Sequence, residues 1–154
     1  MKTSKVLFLV GAALILVAGM FVASMSQGAT IVGSKHDFTS SGWITTNTVC
    51  GACHTPHNAK VPQLAPLWNH MSTASTFTLY SSDTLNATVG QPAGTSKACL
   101  SCHDGSVALN NFGSVTNGST YITGGALLGT DLSNDHPISF TFDAALATAD
   151  GGLV

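Results

Sequence analysis

Two five-residue stretches constrain this chain more than anything else in it. They are Cys50-Gly51-Ala52-Cys53-His54 and Cys99-Leu100-Ser101-Cys102-His103. Together they use all four cysteines of the chain, and the second begins forty-nine residues after the first. CxxCH is the attachment signature of a covalently bound c-type haem. The spacing has a chemical reason. Two thiols on one helical turn reach the two vinyl groups on one side of a porphyrin, and the histidine that follows is carried under the ring to bind the iron. The expected cofactors are therefore two covalently attached haem c groups. Cys50, Cys53, Cys99 and Cys102 form the thioethers, with His54 and His103 as proximal iron ligands. A zinc site or a dithiol redox pair is the competing use of CxxC. Zinc needs four clustered ligands, and the direct succession of His after each pair favours haem.

The start of the chain reads as an export signal. Lys2 and Lys5 precede a nearly unbroken apolar run, Val6 to Val22, followed by small residues around Ser24, Ser26, Gly28 and Ala29. That order is expected of a cleaved signal peptide, placed approximately at residues 1–28, with a dihaem domain at 29–154. A retained anchor is the alternative, but the apolar run lies near the lower limit for a span; no stable membrane span is expected after cleavage. Secretion to the periplasm, outer cell surface or medium follows. Beyond the signal, three lysines (Lys35, Lys60, Lys97) stand against seven aspartates, with no arginine and no glutamate, giving −4. Such a balance excludes a basic nucleic-acid surface.

A small chain rich in Gly, Ser, Thr and Asn buries too little apolar surface to hold itself together. Two porphyrins would supply the missing core. The expected architecture is a mostly irregular, haem-organised small c-type cytochrome, with short helices at the CxxCH motifs and few short strands. Pro56 biases Thr55 away from helix and limits the first motif to a short turn. The second motif has no such brake, so a helix is expected to run on through Val107, Ala108 and Leu109 to stop signals at Asn110 and Asn111. Ile138 to Phe142 alternates apolar and polar residues as a short strand does. Phe77 to Tyr80 is at most another. Ala144 to Ala149 reads as a weak helical turn.

Four histidines remain for the distal faces of two irons: His36, His57, His70 and His136. That surplus favours bis-histidine ligation over methionine, since Met71 adjoins His70 and reads as core filler. His36 and His136 are the leading distal candidates. Asp135 can orient the His136 imidazole, and Pro137 stiffens its backbone. His70 is the weak candidate, its alternative being a solvent-facing ring beside Trp68. His57 lies three residues after His54, too short a tether to round the porphyrin edge. If it is a ligand, it serves the second haem or a haem of a neighbouring chain; otherwise it is an exposed ring that orients a propionate.

Ser34-Lys35-His36-Asp37, the CxxCHTPHN run at Cys50 to Asn58, Pro66-Leu67-Trp68-Asn69, the CxxCHDG run at Cys99 to Gly105, and Asn134-Asp135-His136-Pro137 together resemble one family. It is the secreted multihaem c-type cytochromes with doubled CxxCH motifs, including outer-surface cytochromes of metal-reducing bacteria. Some of these polymerise into conductive filaments. The resemblance implies extracellular electron transfer, other redox proteins or extracellular acceptors as partners, and a homo-oligomer or filament. Relatives of this kind continue into further CxxCH motifs, whereas this sequence carries two; it reads as a short form or a piece of a longer one. A histidine that serves a later haem in those relatives has no such haem here. An electron-transfer protein rather than an enzyme is expected. The alternative is a haem enzyme, a peroxidase or oxyanion reductase, with one open iron position. A third reading is a filament subunit whose haems serve chiefly as staples.

Overall fold

The computed structural model describes residues 30–44, 46–61 and 64–152; the expected signal peptide, 1–28, lies outside them. The chain divides into two units, Met1–Asp37 and Phe38–Val154. In the first, Ser34 N–H donates to the Ile31 carbonyl and Asp37 N–H to that of Ser34, at 3.0 and 3.1 Å. The Asp37 carboxylate accepts from Gly33 N–H at 2.8 Å. His36 sits exposed on these turns.

The second unit is largely irregular. Helix α1 spans Gly94–His103 and places Ala98, Leu100 and Ser101 on its buried side. The second motif therefore ends this helix instead of beginning it. The expected continuation through Val107 to Leu109 is absent, and the backbone shows why. Asp104 N–H closes the last turn on the Leu100 carbonyl at 2.8 Å. Gly105 then takes φ 76, a left-handed conformation that terminates helices and that glycine adopts without penalty. Val107 and Ala108 are buried all the same, as parts of a loop.

The first motif makes a single turn. Cys53 N–H and His54 N–H both bond the Cys50 carbonyl, at 3.1 and 2.8 Å. The chain then pairs with residues 67–69: Thr55 N–H donates to Leu67 O at 2.9 Å, and Asn69 N–H to Cys53 O at 2.8 Å. Segments 69–71 and 111–113 pair in turn across His70 and Phe112. A parallel bridge joins Thr78 to Asp131.

Among the described residues these are isolated bridges, not strands. The strand pattern at Ile138 to Phe142 fails because Ser139 adopts φ 61, which breaks the extended run. Ile138 still packs on the small apolar cluster of Phe77, Leu100 and Leu132, together with Leu79. Helix α2 spans Ala144–Asp150. The Asp143 carboxylate caps it by accepting from Leu146 N–H at 2.9 Å, and Gly151 closes it at φ 73. No described helix is long and apolar enough to cross a membrane.

Candidate functional site

The two motif histidines are held alike, by different parts of the chain. His54 Nδ1 lies 2.6 Å from the Pro66 carbonyl oxygen. His103 Nδ1 lies 2.7 Å from the Ala126 carbonyl oxygen. A carbonyl can only accept, so each Nδ1 carries the proton and donates it. In the neutral ring that puts the lone pair on Nε2, the arrangement of a metal-binding imidazole oriented through its other nitrogen.

Each carbonyl belongs to a strap that is itself tied to the motif. Leu67, after Pro66, takes φ 56 and accepts from Thr55 N–H. The second strap is a 3-10 turn at Gly124–Ala126. Beyond it, Leu128 N–H donates to the His103 carbonyl at 2.8 Å. Both straps leave a leucine beside the histidine half in the open, Leu67 at 47% and Leu127 at 45% exposure.

All four cysteines are free thiols, Cys50 and Cys99 exposed, Cys53 and Cys102 half-buried. Burial raises the Cys53 thiol pKa, and the neighbouring Cys50 and Cys99 add to it. Burial pushes Cys102 up to about 12, helped by Cys53, Asp104 and Cys99. The thiols of the two motifs thus lie near enough to act on one another. Their raised values are the reverse of the depressed thiols of dithiol redox sites. Among the described residues no three His, Cys, Asp or Glu side chains are grouped to hold a metal ion. A haem asks only for thiols and axial imidazoles, because the porphyrin brings the equatorial nitrogens.

Around His54 lies a cleft of about 300 Å³, walled by Thr46, Thr48, Gly51, Thr55, Asn69 and Phe112, among others. Asn69 braces it: its side-chain amide donates to the Gly51 carbonyl at 2.7 Å, and its Oδ1 accepts from Gly113 N–H at 3.0 Å. Trp68 is buried near His54, ring centroids 6.4 Å apart at 87°, and its indole N–H has no partner among the described residues.

The second motif rests on a buried polar knot that sequence reading missed. Ser101, fully buried, accepts from Thr73 N–H at 3.0 Å and donates to the Lys97 carbonyl at 2.7 Å. Thr73 Oγ1 donates to Asp104 Oδ2. Ser106 gives that carboxylate its N–H at 2.7 Å and its hydroxyl at 2.9 Å. Burial alone would raise the Asp104 pKa; the hydrogen bonds from Thr73, Ser106 and Ser75 outweigh it and hold the carboxyl below its ordinary value. The only sequence hint was a run of Ser and Thr that reads equally well as loop.

Of the distal candidates, His57 and His136 are exposed. His136 Nδ1 lies 3.0 Å from the Pro137 carbonyl oxygen, the same ligand-ready tautomer. His36 belongs to the first unit. His70 is not solvent-facing: it is 2% exposed. Its Nδ1 lies 2.8 Å from Met71 O, its Nε2 3.0 Å from Ala108 O, and Cys102 Sγ is 3.6 Å from Nε2. Burial lowers its pKa against the raising effect of the carbonyls of Met71, Ala108 and Leu109, and Lys60 lowers it further. A neutral ring has one N–H for two carbonyls, so one carbonyl goes without.

No protein-family model matches the chain, and no curated protein matches it.

Proposed function

We propose that this protein is a dihaem c-type cytochrome that passes electrons in periplasmic or extracellular respiration. The observation that carries the reading is the matched pair of clamps, His54 on Pro66 O and His103 on Ala126 O. Each lies directly after two free thiols. One such bond can arise by chance; two, built from unrelated straps on the two CxxCH histidines, fit axial ligands. Cys50 and Cys53 would hold one haem and Cys99 and Cys102 the other. The haem supplies a one-electron iron couple whose potential follows axial ligation, burial and hydrogen bonding. The protein's part is to fix the imidazole tautomers, crowd the two motifs together and wall off water. Histidine on both faces favours a low potential, suited to electron export. Redox proteins or extracellular acceptors are the proposed partners, and a homo-oligomer or filament the proposed assembly.

The test is intact mass with a pyridine haemochrome spectrum of secreted protein. Two haems per chain and loss of the leader are expected. A mature protein that binds zinc and shows no haem absorbance overturns the reading. The burial of His70 between the Met71 and Ala108 carbonyls leaves fewer exposed imidazoles for two distal faces, which supports a second reading, a haem enzyme with one open iron position. Stoichiometric carbon monoxide binding at one haem of the reduced protein would select it.

A further inference from the structure

Among the described residues, three other than glycine take positive φ: Asn58 at 56, Leu67 at 56 and Ser139 at 61. Leu67 is the odd member. Asn and Ser carry short polar side chains that can bond nearby backbone, whereas a bulky apolar side chain in this conformation only crowds the following carbonyl. Burial does not compensate, since Leu67 is 47% exposed. Backbone strain of this kind persists where the surroundings impose it, and it gathers at functional sites.

The surroundings that impose it converge on His54. Trp68 N–H donates to Ala65 O at 3.1 Å, closing a four-residue turn with Pro66 and Leu67 at its centre. The proline ring holds φ at about −65°. Positive φ at the next residue makes the turn type II, a position that ordinarily takes glycine. Type I and type II turns differ by about 150° in ψ of the first central residue, so they point the carbonyl of that residue to opposite sides. Here that carbonyl is Pro66 O, 2.6 Å from His54 Nδ1. The turn is pinned to the motif on either side: Leu67 O accepts from Thr55 N–H at 2.9 Å, and Asn69 N–H donates to Cys53 O at 2.8 Å. The second strap reaches His103 by another route. Its left-handed residue is Gly124, at φ 69, and Leu127 has φ −79.

We propose that Leu67 is a positioning residue for the first proximal ligand: its left-handed backbone turns the Pro66 carbonyl onto His54 Nδ1 and so fixes the tautomer and basicity of that imidazole. The inference rests on the dihaem reading, in which His54 Nε2 binds iron. A carbonyl on Nδ1–H makes the ring a stronger base, which favours ferric iron, so losing the bond raises the potential of that haem alone.

The experiment uses haem-loaded secreted protein with isotope-labelled histidine. Magnetic resonance of the reduced protein follows exchange of the His54 Nδ1 proton, and both midpoint potentials are measured. The parent should show a protected proton. Leu67→Val, whose branched side chain shuns positive φ, should speed its exchange. The same variant should raise one potential by about threefold in the reduction equilibrium, about 28 mV for one electron, and leave the other unchanged. Leu67→Gly and Leu67→Asn discard the leucine side chain but accept the turn; both should keep the protected proton and both potentials. A Leu67→Val protein with parental exchange and potentials overturns the proposal. So does a shift in Leu67→Gly like that of Leu67→Val, because the side chain and not the backbone sign would then be responsible. If Leu67→Val fails to fold, the other two variants decide, and a changed potential or a freely exchanging proton in both overturns the proposal. Parent protein without haem would instead bring down the dihaem reading, and this proposal with it.

Discussion

Thr73 joins three stretches of chain through one backbone N–H and one hydroxyl. It meets Ser101 on α1, Asp104 and Ser106 beyond it, and Ser75 N–H at 3.0 Å. Thr73→Val keeps the shape and deletes the hydroxyl, leaving a buried carboxylate short of a donor. We expect a loss of about 1–3 kcal/mol by urea denaturation of haem-loaded protein, with Thr73→Ser losing less. A Val variant as stable as the parent would show that the knot is not a net contributor. His136 makes the opposite kind of residue-scale case, being exposed with Nδ1 already directed at the Pro137 carbonyl. His136→Met should raise one midpoint potential and alter one low-spin signal, as methionine ligation does. If both haems keep their spectra and potentials, His136 is not a distal ligand.

At the scale of elements, the end of α1 depends on backbone sign. Gly105 takes φ 76, and a Cβ there would clash only with the Cδ1 tip of Leu127, at 2.6 Å, on a half-exposed side chain that can turn aside. Gly105→Ala should therefore act through its backbone, destabilising the protein by more than about 1 kcal/mol in urea denaturation while leaving the Ala126 carbonyl on His103 Nδ1. Gly113 has φ 59 and nothing within 4 Å of where a Cβ would stand, so Gly113→Ala should cost about the same. A Gly105→Ala protein as stable as the parent would show that the left-handed turn is not what ends α1.

Among the described residues the apolar core is small: Phe77, Leu100 and Leu132 form one cluster, Trp68, Val107 and Phe112 are buried as well, and several large apolar side chains, Leu67, Leu127, Leu128 and Tyr121 among them, stand about half exposed. Chain expressed without haem attachment should lack a cooperative unfolding transition by circular dichroism, because a core this small does not offset the entropy of ordering the chain. A sharp transition in haem-free protein would mean that the polypeptide folds by itself. Assembly is a second property of the whole molecule. His57 is exposed, next to the turn that holds His54, and a tether of three residues could not carry it around a haem bound at His54. His57→Ala should shorten or abolish higher assemblies by size and microscopy if it ligates a neighbouring chain's iron. Unchanged assembly with two intact low-spin haems would leave it a bystander.

Some of this was legible in the residues alone. The CxxCH spacing dictates where thiols and imidazole stand on one turn, so Cys50, Cys53 and His54, and Cys99, Cys102 and His103, were candidate site residues from composition and order. Pro56, two residues after His54, likewise acts within a turn, and its effect was readable locally. The abundance of Gly, Ser, Thr and Asn beyond residue 28 pointed to a largely irregular chain. What tertiary structure decided involves groups far apart in sequence. The carbonyls of Pro66 and Ala126 carry no sequence signal, since every residue has one and only folding aims it. Gly105 ended α1 where apolar pattern suggested continuation, because backbone sign outweighs periodicity. Ser139, at positive φ, undid an alternating strand for the same reason. Nothing local marks Ser101 and Asp104 for burial, yet both are buried, satisfied by Thr73 about thirty residues away in sequence. The solvent-facing reading of His70 gave way to a ring buried between the Met71 and Ala108 carbonyls. A polar side chain's fate depends on which acceptors the fold brings to it, and only three dimensions bring them.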